Sequence, residues 1–119
     1  MARPRNFDED VVVAIAGQVF ARLGYNATSI DDLLDATSLQ RGSLYKAFGS
    51  KRNLFEKVLM GTLSHGWRER EESLDLLIIA LKELVSIDRP ISEICRAALV
   101  LCDGDTAEIL GNRLLQNLS

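Results

Sequence analysis

The chain has 119 residues, 47% hydrophobic and 26% charged, with a formal net charge of −3, which is ordinary for a globular domain and excludes a disordered or strongly basic polymer-wrapping protein. No apolar run reaches the roughly 18 residues of a membrane span, and MARPRNFDED turns acidic where a signal peptide would be apolar, so a cytoplasmic protein is expected. Cys95 and Cys102 would lie about 10 Å apart along a helix, too far for a disulfide, and His65 is the lone histidine, so buried thiols, no metal site and no cofactor are expected.

In chain order, the first apolar set is Val12, Ile15, Ala16, Val19, Phe20 and Leu23, the stripe of an amphipathic helix that stops at Gly24. Asn6 or Asp8 can cap its start. In TSIDDLLDA, Thr28 or Ser29 can cap a second helix, with Asp31 or Asp32 three positions on and Ile30, Leu33 and Leu34 facing inward. TSLQ breaks the pattern, and RGSLYKAF reads as a short third helix burying Leu44 and Phe48. Ser50 opens a fourth, with Leu54, Phe55, Val58, Leu59, Thr62 and Leu63 apolar or inward and Gly66 at its end.

Three more helices are expected, at about residues 71–87, 91–101 and 106–118, separated by Asp88-Arg89-Pro90 and Cys102-Asp103-Gly104-Asp105. In the first of them Leu74, Leu77, Ile78, Leu81, Leu84 and Val85 form the core stripe, while Leu76, Ile79 and Ala80 widen the apolar surface around most of the helix. A helix so apolar must be covered on more than one side. The fold class is all-α. No Gly-rich phosphate loop or Gly-x-Ser-x-Gly elbow is present, so no catalytic residue is named and the protein is not expected to be an enzyme.

Charge is uneven. Residues 1–66 hold eight Lys/Arg against seven Asp/Glu, and residues 67–119 hold six against ten. Within the first part, LQRGSLYKAFGSKR, residues 39–52, carries Arg41, Lys46, Lys51 and Arg52 and no acidic residue. Chance can leave so short a stretch without acids. The other reading is a DNA-facing surface, from which phosphate charge excludes carboxylates. Two short helices joined by a tight turn, the second bearing QRGSLYK, have the layout of a helix-turn-helix, whose second helix enters the major groove.

The order of residues in AGQVFARLGYNATSIDDL and GSLYKAFGSKRNL strongly resembles the DNA-binding domain of TetR-type bacterial transcriptional regulators. The matching positions are Phe20, Gly24, Tyr25, Thr28, Ser29, Ile30, Gly42, Ser43, Leu44, Tyr45, Phe48, Ser50 and Lys51. The resemblance implies that Thr28 and Ser29 approach the DNA backbone at the start of the second helix. Gln40, Arg41, Gly42, Ser43, Tyr45 and Lys46 would lie in or beside the groove, and Lys51 would stand at a backbone contact opening the fourth helix. Arg41 and Lys46 can reach guanine edges or phosphates, Gln40 can pair with adenine, and Gly42 lets the helix come close. Tyr45 would meet a phosphate through its hydroxyl, or serve as a half-buried core aromatic. Ser38 stands where the family has a turn glycine, so it must bear an unfavourable backbone conformation if the turn is kept, and Gln40 is a weak cap.

The expected organisation is therefore a DNA-binding domain over residues 1–50, a connecting fourth helix over 51–66 and a shortened sensing and dimerising domain over 67–119. The expected function is a sequence-specific repressor on a palindromic operator, dimeric through its C-terminal helices, with an incomplete pocket for a small-molecule effector. The rival reading is a helical interaction module that has lost operator binding and acts on a partner such as a full-length relative.

Overall fold

The computed structural model describes residues 7–101 and 104–116, which form α-helices and one 3-10 turn with no strand among them. The helices are α1 Glu9–Leu23, α2 Ile30–Thr37, α3 Arg41–Phe48, α4 Lys51–Thr62, α5 Glu71–Glu83, α6 Arg89–Val100 and α7 Thr106–Gln116, and the 3-10 turn is Trp67–Glu69. The expected roles of Asn6, Cys102 and Leu118 fall outside the described residues.

Local chemistry sets most of these boundaries. The Asp8 side chain accepts a hydrogen bond from the Asp10 amide to start α1, and Gly24, at φ 89°, closes it. Ser29 and Asp32 form a reciprocal capping box on α2, each accepting the other's backbone N–H at 2.9 Å. Ser50 caps α4 by accepting from Asn53, and Asp88 caps α6, whose second residue is Pro90, by accepting from Ile91. α4 is shorter than its apolar pattern suggests. It ends at Thr62, the chain reverses at Gly66 with φ 78°, and the turn at Trp67 buries the indole.

One core runs through the described chain. Val12, Ala16, Val19 and Phe20 of α1 meet Leu33 of α2, Leu44 and Phe48 of α3, and Leu54, Phe55, Val58 and Leu59 of α4. Phe20 and Tyr25 stack at 6.0 Å, and Phe55 sits edge-on to both at 5.1 and 5.2 Å. α5 packs against α1, α4, α6 and α7, which answers the demand that so apolar a helix be covered on several sides. Gly17 permits the approach, because a Cβ there would stand 3.2 Å from Val58 and 3.9 Å from Leu76. This docking on α1 changes the expected core. Leu76 and Ala80 are fully buried, while Leu81, placed in the core stripe by its period, points outward and is 37% exposed.

Polar contacts join the two halves. Arg52 of α4 makes a two-toothed ion pair with Asp88 at 2.7 and 2.8 Å, tying the start of α4 to the cap of α6. The guanidinium holds the Asp88 carboxyl below the usual carboxylate range. Within the second half, Arg113 clamps α7 onto α5 through both Asp75 oxygens and Glu71.

Candidate nucleic-acid interface

α3 is a short helix with two unlike faces. Leu44 and Phe48 are buried, whereas Arg41, Gly42, Ser43, Tyr45 and Lys46 are exposed, with Tyr45 at 41%. Their spacing follows from the helical period, since the buried pair lies four apart and the exposed residues fill the opposite arc. Gly42 has nothing within 4 Å of where a Cβ would be, so backbone is bare at the start of this face. Gln40 occupies the N-cap without a side-chain capping bond, which leaves its amide exposed and uncommitted to the helix.

The turn before α3 places Ser38 in the left-handed region, at φ 61° and ψ 20°, as its place in the turn required. Thr37 relieves part of the turn by donating to Leu33 O and accepting weakly from the Leu39 amide.

Thr28 and Ser29 are held tightly at the start of α2. The Thr28 side chain is 1% exposed and its hydroxyl donates to Gly24 O at 2.5 Å, so it presents no side chain to a ligand. Ser29 is exposed, but its hydroxyl accepts from Asp32 N. The Asp32 carboxyl in turn accepts from the Ser29 backbone N–H, and that bond first, with the Ser29 side chain second, lowers it below its usual value. Behind them, Lys51 donates to Tyr25 O and Thr28 O at 3.0 Å each and lies 4.4 Å over the Tyr25 ring. Its ammonium thus fastens the loop before α2 to α4. Desolvation in this packing raises the Tyr25 hydroxyl above its ordinary pKa.

The acid-free stretch in sequence is not an acid-free surface in space. Arg41 is paired with Asp31 of α2 at 2.6 Å, Arg52 is turned to Asp88 and Glu56, and Lys51 is spent on carbonyls. Of the four cations in residues 39–52, Lys46 alone has no ion-pair or hydrogen-bond partner among the described residues. Sequence reasoning weighed Asp31 only as a capping residue and missed its pairing with Arg41, ten positions away. It also missed Glu83, which accepts from the Asn26 amide at 2.6 Å. A local signal pointed to Glu83, because a carboxylate ending a helix opposes the macrodipole and needs a compensating contact.

Among the described residues, no group of three or more His, Cys, Asp and Glu side chains could hold a metal, and no helix is long and apolar enough to cross a membrane. Burial pushes the Cys95 thiol up to about 11, which keeps it protonated and unreactive at neutral pH. A hollow of about 700 Å³ lies away from α3, lined by residues including His65, Trp67, Arg68, Ala98, Asp105 and Ile109.

Residues 13–58 match the model of the bacterial regulatory proteins of the tetR family. The chain is 32% identical over 91 residues to the HTH-type transcriptional repressor BdcR of Escherichia coli, covering 76% of this chain and 41% of that protein. It is 42% identical over 57 residues to the repressor ComR of the same organism, covering 48% and 27% respectively. The fold is similar to that of the TetR family transcriptional regulator CifR, solved as a cysteine mutant complexed with 26 bp double-strand operator DNA. The TM-score is 0.54 and the identity 28%, over 97% of this chain and 73% of that one. The chain thus spans less than half the length of these two curated relatives.

Proposed function

Through residues 13–58 the chain belongs to the tetR family of bacterial regulatory proteins, and from that premise we propose that it is a sequence-specific DNA-binding transcriptional regulator of repressor type. The observation that carries this reading is the exposed arc of α3, where Arg41, Gly42, Ser43, Tyr45 and Lys46 stand together on the outer face of a helix, the element a major groove admits. The structural likeness to a regulator bound to operator DNA supports it.

In this reading Lys46, the cation of residues 39–52 with no partner among the described residues, contacts phosphate. Arg41 reaches a guanine edge, Gln40 an adenine edge, and the Tyr45 hydroxyl a phosphate oxygen. Ser29 offers the backbone at the start of α2, while Thr28 and Lys51 act from behind by fixing that start against α4. In this reading the protein acts by binding rather than by catalysis, and it works in the cytoplasm, where the DNA is. We divide the chain into a reading unit over residues 1–50, the connecting α4, and a helical unit over 67–119 that dimerises and offers the hollow beside Trp67 to a small effector. Two α3 helices about 34 Å apart on a palindromic duplex would supply the specificity that one short helix lacks.

A second reading, an interaction module acting on a partner protein, is favoured by the exposure of Ile87, Val100 and Leu101, at 79%, 72% and 88%. Selection from a pool of random duplexes separates the two. The regulator reading expects enrichment of a twofold-symmetric sequence, and it fails if the bound pool keeps the composition of the input.

A further inference from the structure

We infer that Asp31 is a positioning residue for DNA reading, whose carboxylate holds the Arg41 guanidinium at the head of α3 so that it favours a base edge over phosphate. The inference rests on the proposal that α3 enters the major groove.

The pair joins Arg41 Nη2 to Asp31 Oδ1 at 2.6 Å, and its side chains are 54% and 77% exposed. An ion pair so open to water contributes little to stability, so folding gives small reason for it. Nor does α2 need Asp31 as a cap, because Asp32 completes the capping box. Asp31 makes no other hydrogen bond or ion pair among the described residues, which leaves Arg41 as its one partner.

The geometry explains what such a pair can do. A guanidinium has five N–H donors, and the carboxylate engages a single nitrogen here. The remaining donors can still form a fork to O6 and N7 of guanine while the carboxylate restricts the arginine's rotamers. The pair has no net charge, so it adds little to the attraction of any phosphate chain. The consequence is a trade, in which directional donors are kept and sequence-independent affinity is lowered.

The test is the Asp31→Asn variant, measured beside the parent on a selected duplex, on that duplex with the contacted guanine replaced, and on an unrelated duplex, across salt concentrations. The expected result has two parts. Binding to the unrelated duplex tightens with a salt slope steeper by about one, and the preference for the guanine falls at least threefold. In an Arg41→Ala background, Asp31→Asn should leave the base preference unchanged, and Asp31→Glu should restore it in the parent. A change in Asp31→Asn that is uniform across duplexes, with preference intact, overturns the inference while leaving the functional proposal standing. A parent that prefers no duplex overturns both.

Discussion

Around α3 the side chains facing solvent include Arg41, Ser43, Tyr45 and Lys46, whereas around the end of α6 they include Ala97, Val100 and Leu101, with Arg96 beside them. Beneath both surfaces the packing is equally closed, with Leu44 and Leu54 on one side and Leu77 and Ile91 on the other all at 0% exposure. The folding problem is therefore solved alike in the two halves, and the difference lies in what each leaves outside. A polar, cationic arc suits a wet, polyanionic partner such as DNA. An apolar edge suits burial against another protein surface. Residue type on the outer arc of a helix carries information about partners that the core does not.

The largest effects should come from cutting the shared core on either side. Phe55→Ala, which removes the ring contacting Phe20 and Tyr25, should cost about 3–5 kcal/mol, and Leu77→Ala about 2–5 kcal/mol. Both should shift one unfolding transition reported by Trp67, the single tryptophan, in urea titrations followed by fluorescence and circular dichroism. Two separate transitions would mean that the halves fold independently.

The Arg52–Asp88 pair is one polar bridge between the halves, and its contribution should depend on pH. Because the folded Asp88 pKa is depressed, the unfolded chain binds more protons as the pH falls below about 4. The stabilisation is thus present above that range and is lost as pH drops through the folded value. Asp88→Asn should cost about 1–2 kcal/mol at neutral pH and progressively less below pH 4, measured by denaturation at each pH. An equal cost at every pH would show that the charge is immaterial.

The smallest change concerns the turn before α3 alone. Ser38→Gly removes the Cβ penalty of the left-handed turn and should stabilise by about 0.5–1 kcal/mol after the entropy cost of glycine is counted. A loss of stability would show that the Ser38 side chain has a role in the turn.

The helix order was legible because capping chemistry is local. Asp8, Ser29 with Asp32, and Ser50 mark their helix starts within three residues of the groups they satisfy. Gly24 likewise announced the end of α1 by its backbone freedom, whereas the left-handed turn at Ser38 was expected only from the family resemblance. Orientation within α5 was not legible, because a helix apolar on most sides has no period to decide whether Leu76 or Leu81 turns inward. The charge state of the α3 surface was also hidden. Arg41 and Arg52 find their acids 10 and 36 positions away, so only the packing of α2 and α6 reveals which cations remain free.

The central claim is that the exposed arc of α3 touches DNA, and amide chemical-shift mapping on addition of a selected duplex tests it most directly, with a scrambled duplex as control. The account predicts that shifts of Arg41, Gly42, Ser43, Tyr45 and Lys46 change most with the selected duplex. Lys46→Ala should weaken both complexes alike and lower the salt slope by about one, while Arg41→Ala should remove about 1–3 kcal/mol of preference. Shift changes centred on Val100 and Leu101, with α3 unmoved, would contradict it.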